Sequence, residues 1–313
     1  MTGRTGLKKG LVIRVTGREV WVAVGGQMVS CMLRGRLRLK DSDFQIVAGD
    51  RVSMRESERA GEVAAIEEVE TRDSWLSRYV ERDGNERVIV ANVQALYAVA
   101  TLRSPPVNYE FVDRVLVSAE RGGVPGRVVL NKIDLVDDEE EIDRFVAVYT
   151  SCGYRIFCTN ALTGQGVESL GKEIEGGVYA FMGESGVGKS SLLMSIDPAL
   201  KLKVGSLGGR TGRGRHTTTF SQLYEFGGGY LADTPGMQTF GFPGTDRIEV
   251  SSCFPEFDGY EDSCRFNPCT HSHEPHCGVK EALAAGRIVR TRYQSYVDIL
   301  SEVDARVKRP PGR

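Results

Sequence analysis

The segment GESGVGKS at residues 183–190 is the strongest indicator of the fold class of this chain. It matches the pattern G-x-x-x-x-G-K-[ST], in which glycines let consecutive backbone N–H groups wrap around phosphate oxygens at the positive end of a helix. The apolar run VYAFM precedes the stretch, and the helix-like SSLLMSI continues from its end. Strand, loop and helix in this order predict a phosphate-binding loop in an α/β fold. The alternative, an ordinary glycine-rich turn, does not require those flanks.

The residues of this loop have distinct expected roles. Lys189 would reach the terminal phosphates of a nucleotide, and the Ser190 hydroxyl would ligate Mg²⁺. The backbone of the loop would hold the other phosphate oxygens. The expected phosphate-binding set is Gly183, Glu184, Ser185, Gly186, Val187, Gly188, Lys189, Ser190 and Ser191, with Gly236 further along the chain.

The motif NKID at residues 131–134 indicates which base is bound. A carboxylate at Asp134 can accept from N1–H and from the exocyclic 2-amino group of guanine, whereas adenine offers no such pair. Asn131 would tether the pocket, and the stem of Lys132 would cover the base. The alternative is a helix start with Asp134 in its first turn. Beside a phosphate loop, the motif favours GTP over ATP.

Two further segments complete the expected nucleotide site. TNALTGQG, from Thr159, resembles the loop that supports guanine in GTPases through main-chain N–H groups, here those of Asn160 and Ala161. DTPG follows the strand-like GYLA, where Asp233 would hold Mg²⁺ and the Gly236 N–H would meet the γ-phosphate. Such a segment is expected to relax when that phosphate leaves.

The rest of the chain shows three kinds of pattern. Short β-branched segments between residues 10 and 69 predict a small all-β barrel. Their basic character from residue 8 to 40 fits an OB-like RNA-binding face, and the alternative is a solvated outer face. Strands alternating with helices then predict a mostly parallel sheet, and LYEFGGGYLAD predicts a hairpin that adds an antiparallel strand. The expected domains are a barrel (1–72), a linker (73–88), a GTPase domain (89–244) and a zinc-binding helical domain (245–313).

Composition limits the function classes. The 313 residues carry 40 Lys and Arg against 42 Asp and Glu, so any basic surface must be local. No apolar run is long enough to span a bilayer, and the N-terminus lacks the pattern of a secretory signal. We therefore expect a cytoplasmic protein with reduced thiols and no membrane partner. We also expect a monomer.

A dense cysteine and histidine segment, CRFNPCTHSHEPHC, begins at Cys264. Three thiolates and one imidazole suit tetrahedral Zn²⁺ with no open position, which indicates a structural role. Spacing alone does not choose among His271, His273 and His276. Reduced surface thiols are the alternative to a metal site, and Cys253 is the closest competing ligand.

The order of the motifs is diagnostic. NKID precedes GESGVGKS and DTPG, whereas most GTPases place the phosphate loop first. In motif set and order the chain resembles the ribosome small-subunit-dependent GTPase A family, and the resemblance covers nearly its whole length. It implies a circularly permuted P-loop GTPase core between an N-terminal OB barrel and a C-terminal zinc domain. It also implies GTP hydrolysis in late maturation of the small ribosomal subunit, with rRNA binding in the GTP state and release after subunit-stimulated hydrolysis.

The resemblance also implies roles for individual residues. Met237 stands where many GTPases place a water-orienting Gln, so His216 in GRTGRGRHTTT becomes the catalytic candidate. Thr218, rather than Thr217 or Thr219, would complete the Mg²⁺ shell with Ser190 and Asp233. The alternative for the segment GRTGRGRHTTT is a mobile basic loop without a catalytic role. The implied zinc ligands, one ion per chain, are Cys264, Cys269, His271 and Cys277.

Two rival functions remain open at this point. One is a GTP-gated RNA-binding module with negligible turnover, because Met237 removes the usual water-orienting group. The other is a kinase that phosphorylates a small molecule, which NKID and DTPG together disfavour. Turnover of GTP with and without small subunits separates these possibilities.

Overall fold

The computed structural model of the chain describes residues 7–17, 19–33, 45–55, 63–80, 85–200, 222–233 and 245–307. Within the first four of these ranges, five strands form a closed barrel in the order β1-β2-β3-β5-β4, with β4 returning to β1. Alternating side chains such as Val12, Val22 and Ile66 fill its interior with no solvent exposure. The predicted barrel is confirmed, and its strands are β1 Lys8–Thr16, β2 Glu19–Val24, β3 Gln27–Leu33, β4 Arg51–Arg55 and β5 Ala64–Val69.

The segment 73–88, predicted as a linker, contains two paired strands in its described residues. β6 (Trp75–Val80) runs antiparallel to β7 (Asn85–Ala91). Leu76 and Val90 are fully buried against the central core, and the Trp75 N–H donates to the Gly122 carbonyl at 2.9 Å. A ribbon with a single buried face needs few apolar residues, so its sequence is as polar as that of a linker.

The central sheet has the predicted α/β architecture. Its order is β10-β9-β8-β11-β13-β12, with all pairings parallel except that of the hairpin β12–β13. Apolar runs are buried on both faces because helices cover the sheet. The strands are β8 Val93–Ala100, β9 Gly126–Leu130, β10 Arg155–Cys158, β11 Val178–Gly183, β12 Gln222–Phe226 and β13 Gly229–Asp233. The helices are α1 Tyr109–Arg121, α2 Glu139–Thr150, α3 Val167–Gly171 and α4 Lys189–Ile196.

Strand ends in this sheet lie at one level. Leu130 of β9 pairs with Ala100 of β8 and with Cys158 of β10, while Gly183 of β11 pairs with Val99 of β8. The loops that follow β8, β9, β10 and β11 therefore leave the sheet side by side. Carboxyl ends of parallel strands are where ligands bind in open α/β sheets.

The barrel packs against the end of β7, just before the chain enters the central sheet at β8. Gly49 has φ +89°, and a Cβ on it would lie 2.0 Å from the Ala91 carbonyl oxygen. The Asn92 side-chain amide donates to the Gly49 carbonyl at 2.8 Å, and the Ala91 N–H donates to that of Ala48 at 2.9 Å. Only glycine permits this close approach of two backbones.

The C-terminal region is a small helical unit around an aromatic cluster. It contains α5 (Arg247–Ser252), α6 (Gly278–Ala284) and α7 (Arg290–Val307). The rings of Phe257 and Tyr296 lie 5.0 Å apart at 86°, an edge-to-face packing. Cys269 and Cys277 belong to the same buried cluster. Along the described residues, no helix is long and apolar enough to cross a lipid bilayer.

Candidate functional site

The phosphate-loop motif spans the turn from β11 into α4. β11 ends at Gly183, and α4 begins at Lys189 with Gly188 as its N-cap at φ +85°. A Cβ on Gly188 would lie 2.6 Å from the Asn131 side-chain nitrogen. Position 188 therefore needs glycine for its backbone conformation and for the close approach of Asn131. The N-terminus of α4 supplies the positive helix end on which phosphate oxygens bind.

Asn131 joins three loops of the site. Its side-chain amide donates to the Val187 carbonyl of the phosphate loop at 3.0 Å. Its side-chain oxygen accepts from the Thr159 hydroxyl at 3.1 Å and from the Ala161 N–H at 3.3 Å. Asn131 is only 1% exposed, so these bonds are shielded from water. The motif loops after β9, β10 and β11 are thereby held together by a single side chain.

Lys132 forms a second link between the NKID motif and the phosphate loop. Its backbone adopts φ +59°, and its ammonium donates to the Gly186 carbonyl at 2.6 Å and to the Ser104 carbonyl at 2.8 Å. Asp134, two residues on, lies in the 3-10 turn Ile133–Leu135 with its side chain exposed. The NKID motif thus has a tethering end and an accessible carboxylate end.

Asn160 shapes the loop that follows β10. Its side-chain oxygen accepts from the Leu162 N–H at 2.9 Å and from the Thr163 N–H at 3.3 Å. Its own N–H donates to the Gln165 carbonyl at 2.9 Å. The Asn160 side chain therefore forms an Asx turn that orients the main chain of the loop.

A second cluster lies in the C-terminal region. Among the described residues, one ligand atom from each of Cys264, Cys269, His271 and Cys277 lies within 4.8 Å of the others. His271 Nδ1 is 3.5 Å from the Cys264 sulfur and 3.4 Å from that of Cys277. His271 is 2% exposed, whereas His273 and His276 are exposed. These four side chains could hold a metal ion.

The surroundings of this cluster orient its histidine. His271 Nε2 lies 3.4 Å from a carboxylate oxygen of Glu261, and the Tyr293 hydroxyl donates to the His271 carbonyl at 2.7 Å. Such outer contacts direct the opposite ring nitrogen toward a metal. Burial raises the pKa of the Cys269 thiol to about 12, so a bound cation would have to displace its proton. Cys253 lies in the same buried core but is not one of these four clustered ligands, and its thiol donates to the Glu249 carbonyl at 3.1 Å.

Comparison with known proteins identifies the family. The model of the RsgA GTPase family matches residues 69–243. The chain belongs to the RsgA GTPase family. The predicted family, the circularly permuted GTPase fold and GTP hydrolysis as the activity are thereby confirmed.

Relatives and solved structures cover nearly the whole chain. A "Small ribosomal subunit biogenesis GTPase RsgA" of Porphyromonas gingivalis is 38% identical over 311 residues, 96% of this chain and 99% of the relative. The protein of the same name from Moorella thermoacetica is 38% identical, covering 95% and 98%. The crystal structure of YjeQ from Thermotoga maritima has a TM-score of 0.78 at 33% identity, over 96% and 99% of the two chains. YloQ, a circularly permuted GTPase, has a TM-score of 0.76 at 23% identity, over 99% of both chains, and shows the fold alone.

Four predicted site residues of this RsgA-family chain lie at the end of a described range or outside the described residues. Asp233 is the last residue of β13, which pairs in parallel with β11, the strand that leads into the phosphate loop. His216, Thr218 and Gly236 lie outside the described residues.

The structure adds residues that the motifs do not reveal. Asn108 caps α1 by accepting from the Phe111 N–H at 3.1 Å, and its amide donates to the Glu184 carboxylate at 2.9 Å. The position of Asn108 before a helical pattern is a recognisable N-cap signal. Its contact with the phosphate loop, 76 residues away, has no signal in the sequence.

Proposed function

We propose that this RsgA-family GTPase acts in late maturation of the small ribosomal subunit. It binds the subunit and its rRNA in the GTP state and leaves after hydrolysis that the subunit stimulates. The observation that carries the proposal is the bonding of Asn131, which unites the phosphate loop with the guanine loop in one site. The names of the relatives supply the ribosomal context.

The proposed nucleotide site uses the motif residues in the roles expected from their chemistry. The backbone from Gly183 to Ser191 holds the phosphates with Lys189, and Gly236 meets the γ-phosphate. Asp134 reads guanine with the support of Asn131, Lys132, Asn160 and Ala161. Ser190, Thr218 and Asp233 hold Mg²⁺, and His216 orients the attacking water.

We propose Zn²⁺ as the metal of the C-terminal cluster. A tetrahedral ion with Zn–S bonds of about 2.3 Å requires sulfur atoms about 3.8 Å apart. The Cys264 and Cys277 sulfurs are 3.8 Å apart, and His271 Nδ1 lies slightly closer to each. Four protein ligands leave no position for a reacting water, so the ion stabilises the helical region.

The barrel is the proposed rRNA-binding part. Arg14 lies over the half-buried Trp21 ring at 5.4 Å from its centre, on neighbouring strands. A cation beside an aromatic ring suits phosphate contact together with base stacking. We further propose that the protein is cytoplasmic and acts as a monomer.

The deciding experiment measures GTP turnover with and without purified small subunits. Turnover should rise strongly with subunits in the wild-type chain. A His216→Ala chain should bind GTP but lose the stimulated rate, and an Asp134→Asn chain should lose its preference for guanine. Slow turnover that subunits leave unchanged would favour a GTP-gated RNA-binding module, the second candidate that Met237 supports.

A further inference from the structure

Glu184 places a carboxylate inside a loop built to bind anions. It follows Gly183 directly and is half-buried at the carboxyl end of β11. A carboxylate that turned into the loop would accept from the same N–H groups that hold phosphate oxygens, and it would repel them. A phosphate loop with an acidic second residue therefore needs a contact that keeps this carboxylate away from the N–H groups of the loop.

Asn108 provides such a contact with the Glu184 carboxylate. Its amide nitrogen donates to the Glu184 carboxylate at 2.9 Å, while its amide oxygen accepts from the Phe111 N–H in the first turn of α1. The carboxylate is thereby directed to the N-terminus of a 13-residue helix, whose positive end stabilises an anion. This contact lies at the protein surface, beside a cavity of about 10 Å³.

The segment that carries Asn108 is itself fixed in place. Arg103 donates to both carboxylate oxygens of Glu141 on α2, at 2.7 and 2.6 Å. The Ser104 carbonyl accepts from Lys132, which also binds the Gly186 carbonyl. The segment is therefore linked to the phosphate loop at two points, directly through Asn108 and indirectly through Lys132, so Asn108 is held on a supported backbone.

We propose that Asn108 is a positioning residue for GTP binding, which keeps the Glu184 carboxylate on α1 and out of the phosphate cradle. The inference rests on GTP binding by the phosphate loop. Asn108 need not touch the nucleotide, because it acts through Glu184. Its effect should depend on the negative charge at position 184 and on ionic strength.

The test is a double-mutant cycle read out as the Kd for GTP. Asp caps helices as well as Asn does, so Asn108→Asp should keep α1 intact while it repels Glu184. We expect GTP binding about fivefold to tenfold weaker, as for one added like-charge contact near the surface. The loss should shrink at high salt, which screens exposed charges.

A second substitution removes the charge on which the inference depends. In an Asn108→Asp and Glu184→Gln double variant, the Gln amide can donate to the new carboxylate. Replacing Asn108 by Asp should then change the Kd less than about twofold relative to the Glu184→Gln single variant. Thermal unfolding of each chain reports whether the helix cap is preserved.

The outcomes are distinct. An unchanged Kd in the Asn108→Asp chain, or an equal loss with Glu and with Gln at position 184, would overturn the inference and leave GTP binding in place. Failure of the wild-type chain to bind GTP would overturn both the inference and the proposed function. A Lys189→Ala chain, which lacks the ammonium proposed to hold the phosphates, shows the Kd expected when GTP binding is lost.

Discussion

Arg292 of α7 donates to the Asp113 carboxylate of α1 at 2.8 Å, and both side chains are completely buried. The same guanidinium binds Glu256 at 2.7 and 3.1 Å and lies 4.7 Å from the centre of the Phe254 ring. Helix α1 therefore contacts the C-terminal region through Asp113. Asn108, the N-cap of the same helix, contacts the phosphate loop. The phosphate-loop motif and the C-terminal helical region therefore both contact α1 or its N-cap.

Removing the buried cation should strongly destabilise the protein. In an Arg292→Met chain, the carboxylates of Asp113 and Glu256 would remain buried without their partner. Breaking a buried pair in this way costs about 3–5 kcal/mol of unfolding free energy. Urea unfolding measures the loss.

The matched control is a surface ion pair between neighbouring helices. Arg247 of α5 binds Asp304 of α7 at 2.7 Å, with side chains 42% and 32% exposed. Arg247→Met should cost only about 0–1 kcal/mol, because solvent screens this pair. Equal losses in the two chains would contradict the role of burial.

A methyl group at position 188 should disrupt the phosphate loop. Gly188→Ala combines a left-handed backbone with a Cβ only 2.6 Å from the Asn131 amide nitrogen, so the loop must shift. We expect GTP binding weaker by about tenfold or more. Gly176→Ala is the control, because Gly176 has φ +72° and nothing within 4 Å of an added Cβ. That chain should lose about 1 kcal/mol of stability and keep its GTP affinity.

Removal of one cluster thiol should release the metal. Cys264→Ser should weaken zinc binding about tenfold or more and destabilise the C-terminal region, since binding energy in such sites is folding energy. Zinc content and thermal unfolding are the measurements. Cys253→Ser, in a buried thiol outside the cluster, should retain one zinc per chain. Loss of zinc from that control would assign Cys253 as a ligand.

Lowering the pH should remove the stabilisation that the Glu274 carboxylate gives to the folded protein. Burial alone would raise the pKa of this carboxyl, but hydrogen bonds from the Thr270 hydroxyl and N–H and the Ser272 N–H lower it to about 2. Because the folded pKa is the lower one, the stabilisation exists above the unfolded pKa of about 4.3 and disappears as pH falls toward 2. Its size is about 1 kcal/mol for this partly exposed group.

The measurement compares unfolding free energy between pH 6 and pH 3. A Glu274→Gln chain should lose stability at pH 6 and depend less steeply on pH in this window. Glu281→Gln, in an exposed carboxyl of α6, should keep the wild-type slope. If the Glu274→Gln and wild-type curves ran parallel, the hydrogen bonds of Glu274 would not contribute.

Much of the fold could be predicted because its signals are local. Alternating apolar residues predict the barrel strands, and a glycine-rich turn between a strand and a helix predicts the phosphate loop. The strands within the segment 73–88 could not be predicted, because the burial of Leu76 against the core depends on residues far along the chain. A polar ribbon and a polar connection have the same composition.

The chemistry expected at the carboxyl ends of the strands could be predicted before the fold was known, because NKID and GESGVGKS are short motifs of neighbouring residues. The sequence likewise placed three cysteines within metal-binding spacing of a histidine. Contacts between side chains that are distant in the sequence become visible only in the folded chain. Glu184 binds Asn108 from 76 residues away, and Arg292 binds Asp113 from 179 residues away. Such contacts follow from how the helices pack on the sheet, and no local pattern encodes them.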